Sequence, residues 1–163
     1  MSIELNQFCD PEHRTPGADL SMPFSLNDHT YATNGHICVR VPRRPDIPEN
    51  KEAPNAEERL PWDFSRVKFG PLPEPKRLPD KCGMCEGRGH KHKCPDCRCE
   101  CEYCDGSGKL PPTVRIGKIV FASQYIERIQ ALPGLEIGKP KPPPRPLPFR
   151  FKGGEGLLMP RSR

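Results

Sequence analysis

The chain has 163 residues, 23 of them proline, with 34% hydrophobic residues and a net charge of +5. Because a chain of this length and composition can bury only a modest core, we expect one domain, or one small domain with an attached module. No apolar run approaches the roughly 20 residues of a membrane span, and the N-terminus shows no basic-then-apolar signal pattern, so we expect a soluble, cytoplasmic protein with no membrane contact.

Residues 1–41 are predicted to supply the N-terminal part of a folded host domain. We expect a short strand or coil over residues 3–8. Further on, the β-prone runs 30–33 and 36–41 flank Asn34-Gly35, a dipeptide that strongly favours a two-residue hairpin turn. Aliphatic residues alternate with Cys38 and Arg40 in the second run, so we expect one face of this strand to be buried and the other to face solvent.

This hairpin is similar to one in bacterial DNA polymerase sliding clamps. Residues 31–39, Tyr-Ala-Thr-Asn-Gly-His-Ile-Cys-Val, resemble the Ala-Thr-Asp-Gly-His-Arg-Leu-Ala segment of that family. Asn34 stands where the family has aspartate, a change that the turn tolerates. Ile37 and Cys38 replace the family's arginine and leucine, so no role of that arginine carries over to this chain.

Residues 42–80 are predicted to form a proline-rich linker. Proline and charge dominate the stretch on both sides of a short apolar island that contains Trp62, Phe64, Val67 and Phe69. Prolines favour an extended, semi-rigid path. We expect Trp62 to anchor this linker by packing at the edge of a core. The alternative interpretation is that Trp62 is an exposed recognition residue.

Residues 81–110 form a predicted zinc module, because seven of the nine cysteines lie within 82–108. The pattern Cys-x-x-Cys-x-Gly-x-Gly begins at Cys82 and again at Cys101. Each Cys-x-x-Cys turn directs two sulfurs at one ion, and the glycines leave backbone amides free to face the thiolates. Without a secretory signal, this spacing favours a metal over disulfides or free core thiols. The best tetrahedral site consists of Cys82, Cys85, Cys101 and Cys104.

The cysteines in the middle of the module allow a second zinc ion. Cys94, Cys97 and Cys99 offer three sulfurs, and His92, with His90 beside it, offers an imidazole as the fourth ligand. The alternative is that Cys99 and the histidines are solvated bystanders. The sequence therefore predicts one or two bound zinc ions and leaves the number open.

The paired repeats resemble the cysteine-rich zinc domain of DnaJ-type chaperones. In that family the first and last repeats share one zinc ion and the middle repeats share another, so the resemblance implies zinc binding here. Two features depart from the family: the central Cys94-Pro-Asp-Cys97 block lacks the Gly-x-Gly tail, and the chain has no His-Pro-Asp signature of a J-domain. The likeness covers only residues 82–108 and implies a chaperone role only through them.

Residues 111–163 are predicted to complete the host domain. Positions 114–121 favour a strand with its continuation, or a tight hairpin, and Ser123 is placed to cap a helix that ends at Pro133-Gly134. Extended structure resumes at 135–137, before a proline run that we interpret as a solvated connector, with docking on an aromatic groove as the alternative. The helix presents apolar residues at helical spacing: Tyr125, Ile126, Ile129 and Leu132.

The order of these elements is similar to one sliding-clamp domain. Hairpin, strand, helix, strand and a terminal Leu-Met-Pro at 158–160 follow one another, split by an insertion over residues 42–112. The predicted fold class is α+β, a small clamp-like antiparallel sheet with one main helix, interrupted by the loop-rich zinc module. A clamp needs several such domains in a ring, so a single copy implies a homo-oligomer or another role.

The positive charge lies at the C-terminal end of the chain. Residues 139–163 carry seven basic residues against Glu155, whereas the charges of the cysteine module balance one another. That balance argues against the module as a nucleic-acid surface, because binding to phosphates needs an excess of cations. The candidate phosphate contacts are Arg150 and Lys152, with Arg43 and Arg44 as helpers.

These features favour a non-enzymatic, zinc-binding module for other macromolecules, related to a DNA-replication clamp. We expect a protein partner, with nucleic acid as a second candidate. The alternative is a DnaJ-like co-chaperone or scaffold that binds unfolded or partner protein through the zinc domain. An enzyme is disfavoured, because zinc ligation occupies the thiolates and no Gly-rich phosphate loop, carboxylate pair or catalytic base forms a motif.

Overall fold

A six-stranded antiparallel sheet is the largest element of the fold. The structure is a computed structural model and describes residues 3–12, 14–15, 18–51, 60–90, 99–141 and 145–161. Its elements are a 3-10 helix (Leu5–Phe8), β1 (Arg14–Thr15), β2 (Ala18–Asp19), β3 (Phe24–Leu26), β4 (His29–Thr33), β5 (Ile37–Pro42), β6 (Lys76–Arg77), β7 (Thr113–Ile116), β8 (Ile119–Ala122), α1 (Ser123–Gln130), β9 (Glu136–Ile137), β10 (Leu147–Phe151) and β11 (Gly154–Leu158).

The large sheet has the strand order β3-β4-β5-β11-β10-β9, so strands from both ends of the chain meet between β5 and β11. A three-stranded sheet, β6-β7-β8, and the pair β1-β2 complete the strands. This mostly antiparallel architecture with one α-helix in the described ranges agrees with the α+β class. Its likeness to a sliding clamp stays a prediction. No helix in these ranges is long and apolar enough to cross a membrane.

The predicted hairpin is confirmed by β4 and β5, but its turn lies one residue further along the chain than Asn34-Gly35. Thr33 pairs with Cys38 and the Asn34 amide donates to the carbonyl of Ile37 at 3.3 Å, so Gly35 and His36 are the central residues of the turn. The Asn34 side-chain oxygen accepts hydrogen bonds from the amides of His36 and Ile37, both at 3.0 Å. Asn34 therefore stabilises the turn through its side-chain oxygen, as Asn and Asp commonly do in turns.

One face of the large sheet carries the main core, and α1 packs into the same cluster. Ile37 and Val39 of β5 lie there with Phe149 of β10 and Leu158 of β11, all at most 1% exposed. The helical spacing predicted after Ser123 is confirmed within α1, although the helix ends at Gln130, before the predicted end at Pro133-Gly134. The apolar residues at this spacing are all buried in this core, with Leu132 in the turn that follows α1: Tyr125, Ile126, Ile129 and Leu132.

Two local predictions were wrong. Residues 5–8 form a 3-10 helix instead of a strand or coil, because Leu5 and Phe8, three residues apart, both enter the core from one side of the turn. Ser123 is the first residue of α1 and not its cap; Ala122 holds the cap position. The Ser123 hydroxyl instead donates to the carboxylate of Glu127 at 3.1 Å.

The second face of β5 does not face solvent, contrary to the prediction. Cys38 is 5% exposed and belongs to a small cluster with Phe24 and Tyr31. The chain at 60–70 returns across this face, and Trp62 packs against the cluster, with its ring centroid 6.0 Å from that of Tyr31. Trp62 is therefore the packing anchor that the sequence predicted.

The described parts of 42–80, residues 42–51 and 60–80, both make backbone contacts with the sheets. The amide of Ser25 donates to the carbonyl of Pro48 at 2.9 Å. Gly70 and Ile137 exchange hydrogen bonds at 3.0 and 2.8 Å, and β6 pairs with β7. The division of the chain into 1–41, 42–80, 81–110 and 111–163 stays a prediction.

Candidate metal centre

The two cysteine repeats face each other and are joined by reciprocal hydrogen bonds. The amide of Cys82 donates to the carbonyl of Gly108 at 2.9 Å, and the amide of Cys101 donates to the carbonyl of Gly89 at 2.8 Å. Because each repeat contributes the same donor and the same acceptor, the pair has an approximate two-fold relation. Two antiparallel bridges flank it: Lys81 with Lys109, and His90 with Glu100.

This arrangement brings four sulfurs together. The Sγ atoms of Cys82 and Cys101 lie 3.9 Å apart, and those of Cys85 and Cys104 lie 3.7 Å apart. All four ligand atoms fall within 4.8 Å of one another. A Zn–S bond of about 2.3 Å in a regular tetrahedron requires sulfurs about 3.8 Å apart. The four cysteines predicted from the repeats are therefore close enough together to bind a metal ion.

The site is closed to solvent. None of the four cysteines is more than 6% exposed, and Leu110 packs against them. The amides of Gly89 and Gly108 point into the site and donate to the sulfurs of Cys85 and Cys104, each at 3.3 Å. Such donors stabilise thiolates, so the backbone is arranged for charged sulfur ligands.

Electrostatics indicates why this cluster needs a cation. Burial opposes ionisation of Cys85, but hydrogen bonds from the Gly89 amide and from the Cys82 and Cys104 thiols lower its pKa from 9.0 to about 6. At Cys104, burial and the neighbouring sulfurs outweigh the Gly108 amide and raise the pKa to about 11. Four buried sulfurs cannot all be thiolates without a counter-charge, and a divalent ion at their centre supplies it.

Two further buried cysteines, Cys9 and Cys38, lie outside the module. Burial raises the pKa of Cys9 to about 11 and that of Cys38 to about 12, against a usual value of 9.0. Both therefore remain neutral thiols at physiological pH and act as small apolar residues. Neither belongs to the four-sulfur group.

The predicted second zinc site lies mostly outside the described residues. Cys94, Cys97 and His92 lie within 91–98, outside the described residues. Cys99 is described, is exposed, and lies outside the four-sulfur group. The second zinc ion stays a prediction.

The residues predicted to contact nucleic acid lie apart from the metal centre, and three of them face carboxylates. Arg44 binds Asp46 at 2.6 Å and Arg150 binds Glu136 at 2.6 Å. Arg43 lies 3.3 Å from a carboxylate oxygen of Glu49. Lys152 follows β10, and its amide donates to the carbonyl of Pro133. Contact between these residues and nucleic acid stays a prediction.

Sequence reasoning missed one group of cations. Arg66 and Lys68, in the predicted linker, lie around the same hollow as Lys139, Lys141 and Arg145, in the proline-rich run. The only signal in the sequence is that basic residues recur at alternate positions in both stretches. Their convergence depends on the return of residues 60–70 across the sheet.

Comparisons of the chain with protein-family models, with curated proteins and with solved structures find no match. The chemistry of the site therefore carries the functional argument. The resemblances to DnaJ-type zinc domains and to sliding clamps stay predictions.

Proposed function

We propose that this chain is a non-enzymatic binding module whose cysteine-rich insertion is held together by a structural zinc ion. The observation that carries the proposal is the closed group of four sulfurs from Cys82, Cys85, Cys101 and Cys104, spaced as a tetrahedral thiolate site requires.

Zinc is the ion that best fits this donor set. Four thiolates in a tetrahedral arrangement suit zinc or iron, whereas calcium and magnesium prefer oxygen ligands. Zinc has no redox chemistry, and its flexible geometry suits a purely structural role. In the described part of the module the buried cluster consists of the four cysteines with Leu110 against them, so a bound ion would contribute much of its stability.

A structural role is favoured over a catalytic one. Catalytic zinc sites keep an open position for water or substrate, commonly beside histidine or carboxylate ligands. Here all four ligands are buried cysteines, and two backbone amides take up the space around the sulfurs. The ion therefore joins the two repeats and presents no reactive face.

Elemental analysis of the purified chain tests this proposal. We expect about one zinc per chain for the four-sulfur site, and loss of that equivalent in Cys85→Ser, because three thiolates bind far more weakly than four. Cys99→Ser is the matched control, since Cys99 is exposed and outside the group.

Absence of zinc from the wild type, or iron in its place, would contradict the proposal. A second zinc equivalent that disappears only in Cys99→Ser would instead support the predicted second site.

One observation favours a second candidate, a DnaJ-like scaffold that binds unfolded or partner protein. Met84 and Tyr103 occupy the same position in the two Cys-x-x-Cys turns, and they are 64% and 65% exposed. Large apolar side chains exposed in matching turns are suited to contact with apolar protein surface.

An aggregation assay with a heat-unfolded client tests this candidate. We expect the wild type to suppress light scattering and the double variant Met84→Ser/Tyr103→Ser to lose most of that effect. Met22→Ser is the control, because Met22 is similarly exposed, at 61%, outside the module. A wild type that suppresses nothing, or a double variant that equals the control, would reject the candidate.

A further inference from the structure

A hollow of about 400 Å³ opens on the second face of the large sheet. It lies between residues 61–68 and the chain that leads into β10, and the side chain of Leu157 from β11 contributes to its floor. Its volume falls within the range of roughly 300–1,000 Å³ typical of sites for small ligands or single chemical groups.

The rim of this hollow is strongly cationic. Asp63 is the one carboxylate among its described lining residues, and it accepts a hydrogen bond from the amide of Ser65. None of the basic lining residues has an ion-pair partner within the described ranges, in contrast to the neighbouring Arg40 and Arg150, which bind Glu155 and Glu136. The five basic residues of the rim are Arg66, Lys68, Lys139, Lys141 and Arg145.

The interior of the hollow is apolar. Phe64 and Val67 line it from the returning segment, and Pro148 and Leu157 line it from the sheet. A ligand that fits must therefore combine a compact apolar group, which enters the hollow, with several negative charges, which stay at the rim. An unpaired nucleotide within a strand has this chemistry, since its base is flat and apolar on both faces and its phosphates are charged.

An acidic peptide fits the same place less well. Peptides commonly dock by adding a strand to an open sheet edge, but at β9 the backbone of Ile137 is already bonded in both directions to Gly70. Three lining residues, Pro61, Pro146 and Pro148, have no amide hydrogen to offer a peptide carbonyl. A DNA duplex fits poorly too, because its bases are stacked and cannot enter a hollow.

We infer that this hollow binds single-stranded nucleic acid, with one base against the apolar floor and the flanking phosphates on the five rim cations. The inference deepens the proposed binding function by naming a partner class. It rests on the chain being a binding module but not on the zinc ion.

Fluorescence anisotropy with a labelled deoxythymidine oligonucleotide of about ten nucleotides tests the inference. We expect binding at about 50 mM salt, and a loss of about tenfold or more in affinity for the double variant Lys68→Glu/Lys141→Glu. The slope of log affinity against log salt should become shallower by about 1.4, because each lost phosphate contact on a single strand removes about 0.7.

The control is Lys76→Glu/Lys118→Glu, which makes the same change in net charge at exposed lysines outside the hollow. We expect this variant to bind within about threefold of the wild type, because only distant, screened charges change. Equal losses in both double variants would overturn the inference, as would a wild type that does not bind the oligonucleotide.

Two further probes separate the ligand classes, and tighter binding of either would overturn the inference: the duplex form of the same oligonucleotide, and a polyglutamate peptide of matched charge. Zinc is measured in every sample. A chain that retains its zinc but binds no oligonucleotide contradicts this inference alone, whereas a chain without zinc contradicts the proposed function.

Discussion

At the scale of single residues, two glycines explain why each repeat ends in Gly-x-Gly. Gly89 and Gly108 have φ values of +79° and +74°, a conformation that other residues rarely adopt. A Cβ atom on Gly89 would collide with the carbonyl of Gly106, and one on Gly108 with the carbonyl of Gly87. Each glycine therefore lets the two repeats approach each other closely, while its amide donates to a sulfur of its own repeat.

We expect Gly108→Ala to weaken zinc binding by about tenfold or more, because the left-handed conformation costs a side chain about 1–2 kcal/mol and the collision with Gly87 adds to it. Competition with a chromophoric zinc chelator measures this effect.

The matched control for that experiment is Gly83→Ala. Gly83 lies within the first Cys-x-x-Cys turn, where a Cβ would meet nothing within 4 Å, and its φ is not positive. We expect its zinc affinity to equal that of the wild type. Equal weakening of zinc binding in both variants would show that the close approach at Gly108 is not the cause of the lost affinity.

The four ligands could be predicted from the sequence because their chemistry is local. Each pair of cysteines is three residues apart, and the identical repeats indicate that the pairs act together. The partner of a charged side chain is not local in this sense. Arg150 appeared free for phosphate on its alternating strand, but Glu136 on the neighbouring β9 binds it at 2.6 Å.

Among the structural elements, residues 60–70 return across the large sheet and cover side chains on its second face. The guanidinium of Arg40 lies over the Trp62 ring at 4.2 Å, and that of Arg150 lies over the Phe69 ring at 4.6 Å. Phe64 lies between these anchors, with ring contacts to Trp62 and Phe69. Each cation–π contact contributes about 0.5–2 kcal/mol, depending on its exposure.

The four neighbouring strands β5, β11, β10 and β9 of the large sheet pair opposite charges on this second face. Arg40 is the cross-strand partner of Glu155, Glu155 of Arg150, and Arg150 of Glu136. Arg40 and Glu155 form a hydrogen bond of 2.7 Å that is shielded by the aromatic segment above it. The pairing depends on strand register, so the alternation within β5 alone could not predict it.

At the scale of the whole molecule, the metal centre and the sheet core are separate clusters. Among the described residues, the cluster around the four sulfurs shares no member with the main core, and the main core includes none of residues 81–90 and 99–110. The three-stranded sheet carries the connection, since β6 precedes the module and β7 follows it.

We therefore expect removal of zinc by a chelator to unfold the module and leave the large sheet intact. Metal that binds only the folded module contributes its binding free energy to that module, so the loss should be local. Amide NMR spectra test this: signals from 81–90 and 99–110 should change, those of Val39, Phe149 and Leu158 should persist, and added zinc should restore the first set. Loss of both sets together would contradict the expectation.

Three features could be predicted from the sequence alone: the hairpin near Asn34-Gly35, the apolar stripe of α1 and the four cysteines of the candidate metal centre. Each depends on residues close in the chain or on a repeat that identifies its own partner. Three other features are visible only in the folded chain: the second face of β5 is covered, Arg150 is paired, and cations from residues 66–68 and 139–145 share one hollow. Arg150 and Glu136 are 14 positions apart, Cys38 and Trp62 are 24 apart, and Arg66 and Lys139 are 73 apart. Which of these segments meet is set by the packing of the whole fold and not by local sequence preference.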